Sequence, residues 1–354
     1  MTNRRSFLKT GAAALAALSA APAVLEGCSG ESAQPASPLI VPKAAGLRIT
    51  GTFLDEISHD IPHQNWGEKE WDADFRYMKA IGITDVIDIR CGYRKWLTYP
   101  SPHLLKKGCF MPSVDLIDMF CRLAEKHGMR FWFGLYDTGV KYPEGAEADI
   151  ENNKFVIDEA WERYGSKYSS FAGWYLSKEF SRRQMGMIEA YRALGKQCKE
   201  ISGGLPTFIS PYMNGKKAVS AFGTDLTKSD DISISEHERD WNEIFDGIHD
   251  FVDACAFQDG HIDYDELDAF FTVNKRLADK YGMQSWTNAE SFDRDMPIKF
   301  FPIKFDKLRL KLEAAARCGY DKAITFEFSH FMSPQSAYLQ AGHLYDRYRE
   351  YFGI

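Results

Sequence analysis

The sequence predicts an α/β protein built as a single (β/α)8 TIM barrel, and two patterns indicate that fold. Short apolar segments alternate with segments in which apolar residues recur at three- and four-residue steps, as strands alternate with helices in such a barrel. Several apolar segments also end at an acidic residue, and the strand ends of a barrel meet on one face. The 354 residues are enough for one barrel beyond a separate N-terminal segment.

Eight strands are predicted in chain order, each followed by a helical pattern or a turn. We expect them at residues 47–54, 85–90, 130–136, 171–177, 206–211, 251–257, 283–287 and 322–326. The clearest helices between them are predicted at residues 71–81, 113–128 and 153–164. Gly82 and Gly128 are expected to end the first two helices, because glycine is a common residue at a helix C-terminus.

The N-terminus predicts export from the cytoplasm. Residues 3–9 include the pair Arg4 and Arg5 and resemble a twin-arginine signal, and an apolar stretch over 11–24 follows that is too short to span a membrane. Cys28 ends a segment that is similar to a lipoprotein cleavage box, in which Glu26 is the atypical residue. We therefore expect an exported protein, in the periplasm or at the cell surface, anchored to a bacterial membrane by a lipid on Cys28, with plain secretion as the alternative.

Three segments are predicted on this basis. They are an export signal peptide at 1–27, the lipidated cysteine and a flexible tether rich in Ser, Ala and Pro at 28–45, and the barrel at 46–354. The formal net charge of the whole chain is −7, and removal of the signal peptide would make it more negative. Such an acidic protein has no electrostatic basis for binding nucleic acid. The six cysteines after Cys28 have neither zinc-site nor disulfide-scaffold spacing, so most are expected to be core thiols, with one or two disulfides left open.

Acidic residues at strand ends predict glycoside hydrolysis, which uses two carboxyl groups, one as general acid and one as nucleophile or base. The pattern resembles the barrel glycosidases of clan A, in which the acid/base follows the fourth strand and the nucleophile follows the seventh. Glu179 and Glu290 occupy those places and are the predicted catalytic pair. One departure is Lys178, where that clan usually has Asn, since a lysine touching Glu179 would lower its pKa. The alternative is that one of the pair only binds sugar hydroxyls or braces a neighbour.

Other strand-end residues are predicted to bind the sugar. Glu327, between two aromatic residues, is also a rival general acid, and Asp259, before Gly260, has a turn-forming role as its alternative. The remaining predicted substrate-binding residues are Glu56, Tyr136, Tyr212, Trp286, Trp174 and Asn288. Aromatic rings stack on the apolar faces of sugars, although ordinary packing between strands and helices is the alternative for each ring.

Histidines near the same strand ends allow a metal-dependent reaction as an alternative. They are His59, His63, His261 and His330. No HxH or HExxH element accompanies them, and histidines in loops more often make polar contacts or face solvent. We therefore expect no metal and no cofactor.

Several segments together resemble a bacterial family, domain-of-unknown-function family 4434, described as candidate TIM-barrel glycoside hydrolases. The matching segments are 98–101, 128–136, 173–176 with Glu179, 210–212, 257–260, 286–292, 326–327 and 332–334. The resemblance implies the barrel fold and a glycoside hydrolase acting on a poly- or oligosaccharide, and it places Glu179, Asp259, Glu290 and Glu327 within matched segments. Two other functions stay open at this point: a non-catalytic carbohydrate-binding lipoprotein, and a metal-dependent sugar isomerase or lyase.

Overall fold

The computed structural model describes residues 45–58, 61, 63–218, 231–294 and 300–354. The predicted signal peptide, Cys28 and nearly all of the predicted tether lie outside these residues, as does His59. No helix among the described residues is both long enough and apolar enough to cross a membrane.

The described residues contain thirteen strands. They are β1 (Ile49–Leu54), β2 (Asp85–Asp88), β3 (Gly92–Tyr93), β4 (Trp96–Leu97), β5 (Arg130–Gly134), β6 (Tyr136–Asp137), β7 (Phe171–Tyr175), β8 (Thr207–Ile209), β9 (Ala254–Gln258), β10 (Gln284–Asn288), β11 (Phe292–Asp293), β12 (Phe301–Pro302) and β13 (Lys322–Thr325). Eight of them form a closed barrel in the order β1, β2, β5, β7, β8, β9, β10, β13, and every pair in it is parallel. The predicted (β/α)8 barrel is therefore confirmed.

Helices follow the barrel strands along the chain. They are α1 (Glu68–Ala80), α2 (Pro102–Lys106), α3 (Leu116–His127), α4 (Ala146–Ala160), α5 (Met187–Ile201), α6 (Ile234–Ile248), α7 (Leu267–Lys280), α8 (Phe305–Arg317), α9 (Phe328–Phe331) and α10 (Leu339–Phe352). A π-helical turn, Trp161–Gly165, extends α4, and a short 3-10 turn covers Lys216–Ala218.

Local sequence explains where α3 begins and ends. Its N-cap is Asp115, whose Oδ1 accepts a hydrogen bond of 3.0 Å from the backbone N–H of Asp118. Gly128 follows its last residue with φ 63°, a left-handed conformation that favours glycine. The predicted end is thus confirmed, whereas the predicted start at residue 113 is early because the capping aspartate lies two residues further on.

Each of the eight predicted strands coincides with a barrel strand, with differences at the ends. The third predicted strand, 130–136, is divided, since β5 ends at Gly134 and β6 begins at Tyr136. A β-carbon on Gly134 would lie 2.1 Å from the carbonyl oxygen of Asp88, so the two chains approach too closely there for any other residue. From this point β6 leaves the barrel and pairs with β3.

Side chains that alternate along the strands form two separate cores. The inner core fills the barrel with Phe53, Ile87, Ile89, Trp132, Tyr175, Phe208, Ala254, Ala256, Trp286 and Ile324. The outer core lies between the strands and the helices. At the N-terminal end of the barrel, buried Asp85 accepts hydrogen bonds from Lys322 at 2.7 Å and from the indole of Trp132 at 2.8 Å. These groups close that end, so the open end is the one at which the strands finish.

Two small sheets lie beyond the carboxyl ends of the barrel strands. In the first, β3 pairs with β4 in antiparallel fashion and with β6 in parallel. In the second, β11 pairs with β12. The turn between β3 and β4 contains Arg94 with φ 55°, an uncommon conformation for a residue other than glycine. Both sheets contribute residues to the cavity described next.

Candidate active site

A cavity of about 190 Å³ lies at the carboxyl ends of the barrel strands. The residues that line it are Ser58, Ile61, Ile89, Arg90, Tyr93, Glu179, Gln258, Glu290, Phe292, Arg294, Phe300 and Phe326. Two carboxyl groups and two guanidinium groups therefore face one small space whose remaining wall is largely aromatic and aliphatic. This is the position at which TIM-barrel enzymes carry their active sites.

Glu179 follows β7, and its half-buried side chain reaches the cavity. The hydroxyl of Tyr175 donates a hydrogen bond of 3.1 Å to its Oε1. Burial raises the pKa of Glu179 above its ordinary value, although the nearby charge of Arg90 opposes that shift. At neutral pH a larger fraction of this group is therefore protonated than for an exposed glutamate.

A lysine in contact with Glu179 would lower the pKa of that glutamate, but the Lys178 side chain points elsewhere. Its ammonium group donates hydrogen bonds of 2.8 Å to Oδ1 of Asp137 and 2.8 Å to the carbonyl of Val140, and it lies over the ring of Tyr142. The lysine charge is thus directed to an acidic neighbourhood outside the cavity.

Glu290 follows β10 on the other side of the same cavity. Arg294 binds it with two hydrogen bonds, from Nε to Oε2 at 3.0 Å and from a terminal nitrogen to Oε1 at 2.9 Å. Burial alone would raise the pKa of Glu290, but the charge and hydrogen bonds of Arg294 outweigh it and hold the pKa below its ordinary value. Glu290 therefore stays ionised to a lower pH than an exposed glutamate does.

The two glutamates thus have pKa values that their surroundings displace in opposite directions. Burial favours the neutral form of Glu179, and an arginine favours the charged form of Glu290. Two titratable groups whose pKa values are shifted in opposite directions can supply one acid and one base or nucleophile to the same reaction.

A buried ion pair between Lys311 and Asp259 fixes the backbone of Glu290. Lys311, on α8, donates from Nζ to Oδ1 of Asp259 at 2.7 Å and to the carbonyl of Glu290 at 3.1 Å. The backbone N–H of Glu290 donates to the same Oδ1 at 3.1 Å. Burial raises the pKa of Asp259 to about 6, against the charge of Lys311. Asp259 therefore lies behind the cavity wall, and its contacts fix the peptide of Glu290.

Gly260 leaves room for the side chain of Glu290. A β-carbon at this position would lie 1.8 Å from Oε2 of Glu290 and 2.5 Å from Nε of Arg294. Both atoms belong to the buried Glu290–Arg294 pair. Any side chain here would therefore displace the carboxylate, which gives this glycine a close-approach role rather than only a turn-forming one.

Glu327 is fully buried but does not line the cavity. Its carboxylate caps α9 by accepting hydrogen bonds from the backbone N–H of Ser329 at 2.7 Å and of His330 at 2.8 Å, and it also contacts the His330 imidazole. Burial would lower the pKa of His330, but Glu327 raises it to about 9. Both oxygens of Glu327 are thus engaged with α9.

Glu56 does not line the cavity either, and its side chain is half-buried. Burial raises the pKa of Glu56 to about 7, against the charge of His330.

The structure places the other predicted sugar-binding residues outside the cavity wall. Trp174 is adjacent to inward-facing Tyr175, so strand alternation turns it into the outer core. Trp286 faces inward but lies deeper, in the inner core. The hydroxyl of Tyr136 donates to the carbonyl of Arg94 at 2.6 Å.

Two further predicted residues lie near the barrel mouth without lining the cavity. Asn288, buried on β10, donates to Oγ of Ser210 at 3.1 Å. The ring of Tyr212 contacts His261 edge-on, with ring centroids 5.5 Å apart.

The sequence reasoning missed the two arginines of the cavity. Arg90 is the last residue of the second predicted strand, and Arg294 follows Glu290 by four positions. Glu179 was selected because it lies at the end of a predicted strand. Arg90 also lies at a strand end and could have been found in the same way, if basic residues had been considered as well as acidic ones. Arg294 carried no comparable signal, because its contact with Glu290 depends on the loop that follows β10.

Within the part of the chain that the structure describes, no group of three or more His, Cys, Asp or Glu side chains is arranged to hold a metal ion. The six cysteines after Cys28 are free thiols, four of them buried.

Residues 49–338 match the family described as "Domain of unknown function (DUF4434)". A crystal structure from Bacteroides thetaiotaomicron VPI-5482, named as a "putative alpha-L-fucosidase", is 74% identical with a TM-score of 0.86, and the match covers 90% of this chain and 99% of that one. No curated protein sequence matches.

More distant structures share the barrel. Two beta-glucuronidases, from an uncultured Clostridium species and from Dictyoglomus thermophilum, are each 14% identical with TM-scores of 0.50. Each match covers 86% of this chain and 50% of the other protein. At that identity the likeness shows the common fold alone.

Proposed function

The chain belongs to the family described as "Domain of unknown function (DUF4434)", and on that premise we propose that it is a glycoside hydrolase acting on an oligo- or polysaccharide outside the cytoplasm. The observation that carries this proposal is the pair Glu179 and Glu290, which face one cavity with pKa values displaced in opposite directions. The name of the relative from Bacteroides thetaiotaomicron adds support for a glycosidase and makes alpha-L-fucosides the first substrates to test.

In the proposed mechanism Glu179 is the general acid. It donates its proton to the glycosidic oxygen as the bond to the anomeric carbon breaks. The surroundings of Glu179 suit that role, because burial keeps the proton on the carboxyl group at a pH at which an exposed glutamate has lost it.

Glu290 is the proposed nucleophile. Its carboxylate attacks the anomeric carbon and forms a glycosyl-enzyme, which water then hydrolyses with Glu179 acting as the base. Arg294 keeps Glu290 ionised and oriented, and Lys311 with Asp259 fixes its backbone. This route retains the anomeric configuration, whereas a water molecule activated by Glu290 would invert it, so the anomer formed first distinguishes the two.

The experiment that tests the proposal is a hydrolysis screen with the chain from which residues 1–28 have been removed. Aryl glycosides, with alpha-L-fucosides first, and a panel of oligosaccharides are incubated with the protein, and products are separated by chromatography. Released sugar supports a glycosidase. Saturable sugar binding without any product would contradict the proposal and favour the non-catalytic binding protein.

Replacing Gly260 by alanine should lower kcat about 100-fold with a smaller change in KM. The added methyl group would displace the Glu290 carboxylate, and misplacement of a reacting group by about 1 Å can cost that much. Because the displaced Glu290 carboxylate would lose contact with Arg294, its pKa should rise. The acid limb of the pH–activity profile should therefore move to a higher pH. Steady-state kinetics across a pH series measure both effects.

Gly342→Ala is the matched control for this substitution. Gly342 lies within α10, and a β-carbon there would lie 3.7 Å from its nearest neighbour, in Pro334, which is ordinary van der Waals contact. Its kinetics should equal those of the wild type. A Gly260→Ala enzyme with wild-type kcat and pH profile would show that Glu290 does not react from this position.

We also propose that the protein is exported and lipid-anchored through Cys28, on the strength of the sequence pattern over residues 3–28. When the full chain is expressed in a bacterial host, the wild type should sediment with membranes, and Cys28→Ser should be found in the soluble exported fraction. A Cys28→Ser protein that stays with the membranes to the same extent would exclude this anchor. The double change of Arg4 and Arg5 to lysine should leave both forms in the cytoplasm.

A further inference from the structure

The hairpin of β3 and β4 joins the cavity to an exposed aromatic surface. Tyr93, on β3, lines the cavity, and it is paired directly with Trp96 on β4. Residues opposite each other in an antiparallel pair have side chains on the same face, with β-carbons about 5 Å apart. Trp96 therefore continues the surface that begins in the cavity wall.

Trp96 is unusual among the tryptophans of this chain. All eight lie in the described residues, and Trp96 alone is exposed, at 58%. Tryptophan is mostly buried in folded proteins, so a tryptophan exposed beside a cavity indicates a binding surface more than ordinary packing does. Phe110, itself 51% exposed, packs edge-on against it with ring centroids 5.4 Å apart.

Hydrogen bonds to two backbone carbonyls order the hairpin that carries Trp96 and join it to Phe110. The N–H of Phe110 donates to the carbonyl of Lys95 at 2.7 Å, at the tip of the hairpin. The hydroxyl of Tyr136 donates to the carbonyl of Arg94 at 2.6 Å. The backbone that carries the two rings is thus ordered before any ligand arrives, which reduces the entropy lost on binding.

We propose that Trp96 and Phe110 bind a second sugar ring, further along the same glycan whose terminal or adjoining ring occupies the cavity. The inference rests on the proposed function. A flat, exposed indole presents the kind of surface that packs on the apolar face of a sugar ring, and Tyr93 makes it continuous with the cavity. The natural substrate is accordingly an oligosaccharide or a longer glycan.

The test compares Trp96→Ala with wild type on two substrates, an oligosaccharide and an aryl monosaccharide glycoside of the same sugar. The ratio of kcat/KM for the oligosaccharide to kcat/KM for the aryl glycoside should fall about 10-fold, mainly through KM for the oligosaccharide. The matched control is Phe155→Ala. Phe155 is 54% exposed and stacks on His103 with ring centroids 4.2 Å apart. It lies on α4 and does not line the cavity.

An unchanged ratio in Trp96→Ala, or an equal fall in Phe155→Ala, would overturn this subsite. Failure of the proposed function gives a different result, because the wild type would then cleave neither substrate. In that case calorimetric titration with the oligosaccharide decides the question. Binding about 10-fold weaker in Trp96→Ala than in wild type supports the subsite, and equal or absent binding excludes it.

Discussion

Replacing Glu290 by glutamine should reduce kcat by about 10⁴-fold or more on every glycoside that the wild type cleaves. The amide is nearly the same size but cannot attack the anomeric carbon as a carboxylate does. It also loses the charge that Arg294 binds through two hydrogen bonds. An aryl glycoside with a good leaving group allows sensitive measurement of the remaining rate, and NMR of the first-formed product gives its anomeric configuration.

A matched control for this variant is Glu200→Gln. Glu200 is exposed at the surface, and its ion pair with Lys196 spans one helical turn at 3.7 Å. Such surface pairs contribute little to stability, so both kcat and thermal stability should stay at wild-type values. If Glu290→Gln kept more than about a tenth of wild-type kcat, Glu290 could not be the nucleophile. Product of inverted configuration from the wild type would instead assign Glu290 to activating water.

Replacing Glu179 by glutamine should lower kcat by about 10²- to 10⁴-fold on natural glycosides, because the leaving oxygen would depart without a proton. The loss should be much smaller for aryl glycosides whose leaving group departs readily as an anion. That contrast identifies a general acid, since damage to binding or folding would affect both substrates alike. The measurement is kcat/KM for two leaving groups, with Glu200→Gln again as control.

The pH profile gives a second readout for Glu179. The wild type needs this group protonated, so activity should fall as the pH rises through its pKa, which burial has raised. It needs Glu290 ionised, so activity should also fall as the pH drops through the lowered pKa of that group. A bell-shaped profile results, and Glu179→Gln should lose its alkaline side. A variant that keeps the alkaline side would place that titration on another group.

The barrel could be predicted from sequence because its strands are short apolar segments with clear boundaries. The same reasoning placed Glu179 and Glu290 at one mouth, since strand ends converge in this fold. It could not give the direction of Lys178, which depends on Asp137 on β6. Nor could it find Arg294, whose position is set by the loop after β10.

The aromatic residues show a different limit. In the doublet Trp174 and Tyr175 one ring must face inward and one outward, and a shift of one residue exchanges them. Trp286 does face inward, but its depth along the barrel removes it from the cavity. Whether two rings share a face depends on the register of the strands, which pairs Tyr93 with Trp96.

Closure of the barrel joins the two ends of the described chain. Thr52 on β1 donates to the carbonyl of Thr325 on β13 at 3.3 Å, across 273 positions of sequence. During synthesis β1 therefore has an unpaired edge until almost the whole chain has been made, so ring closure is a late and non-local step of folding. Nascent or truncated chains that lack β13 would expose that edge to strands of other molecules, which makes prompt completion of the chain a condition for avoiding aggregation.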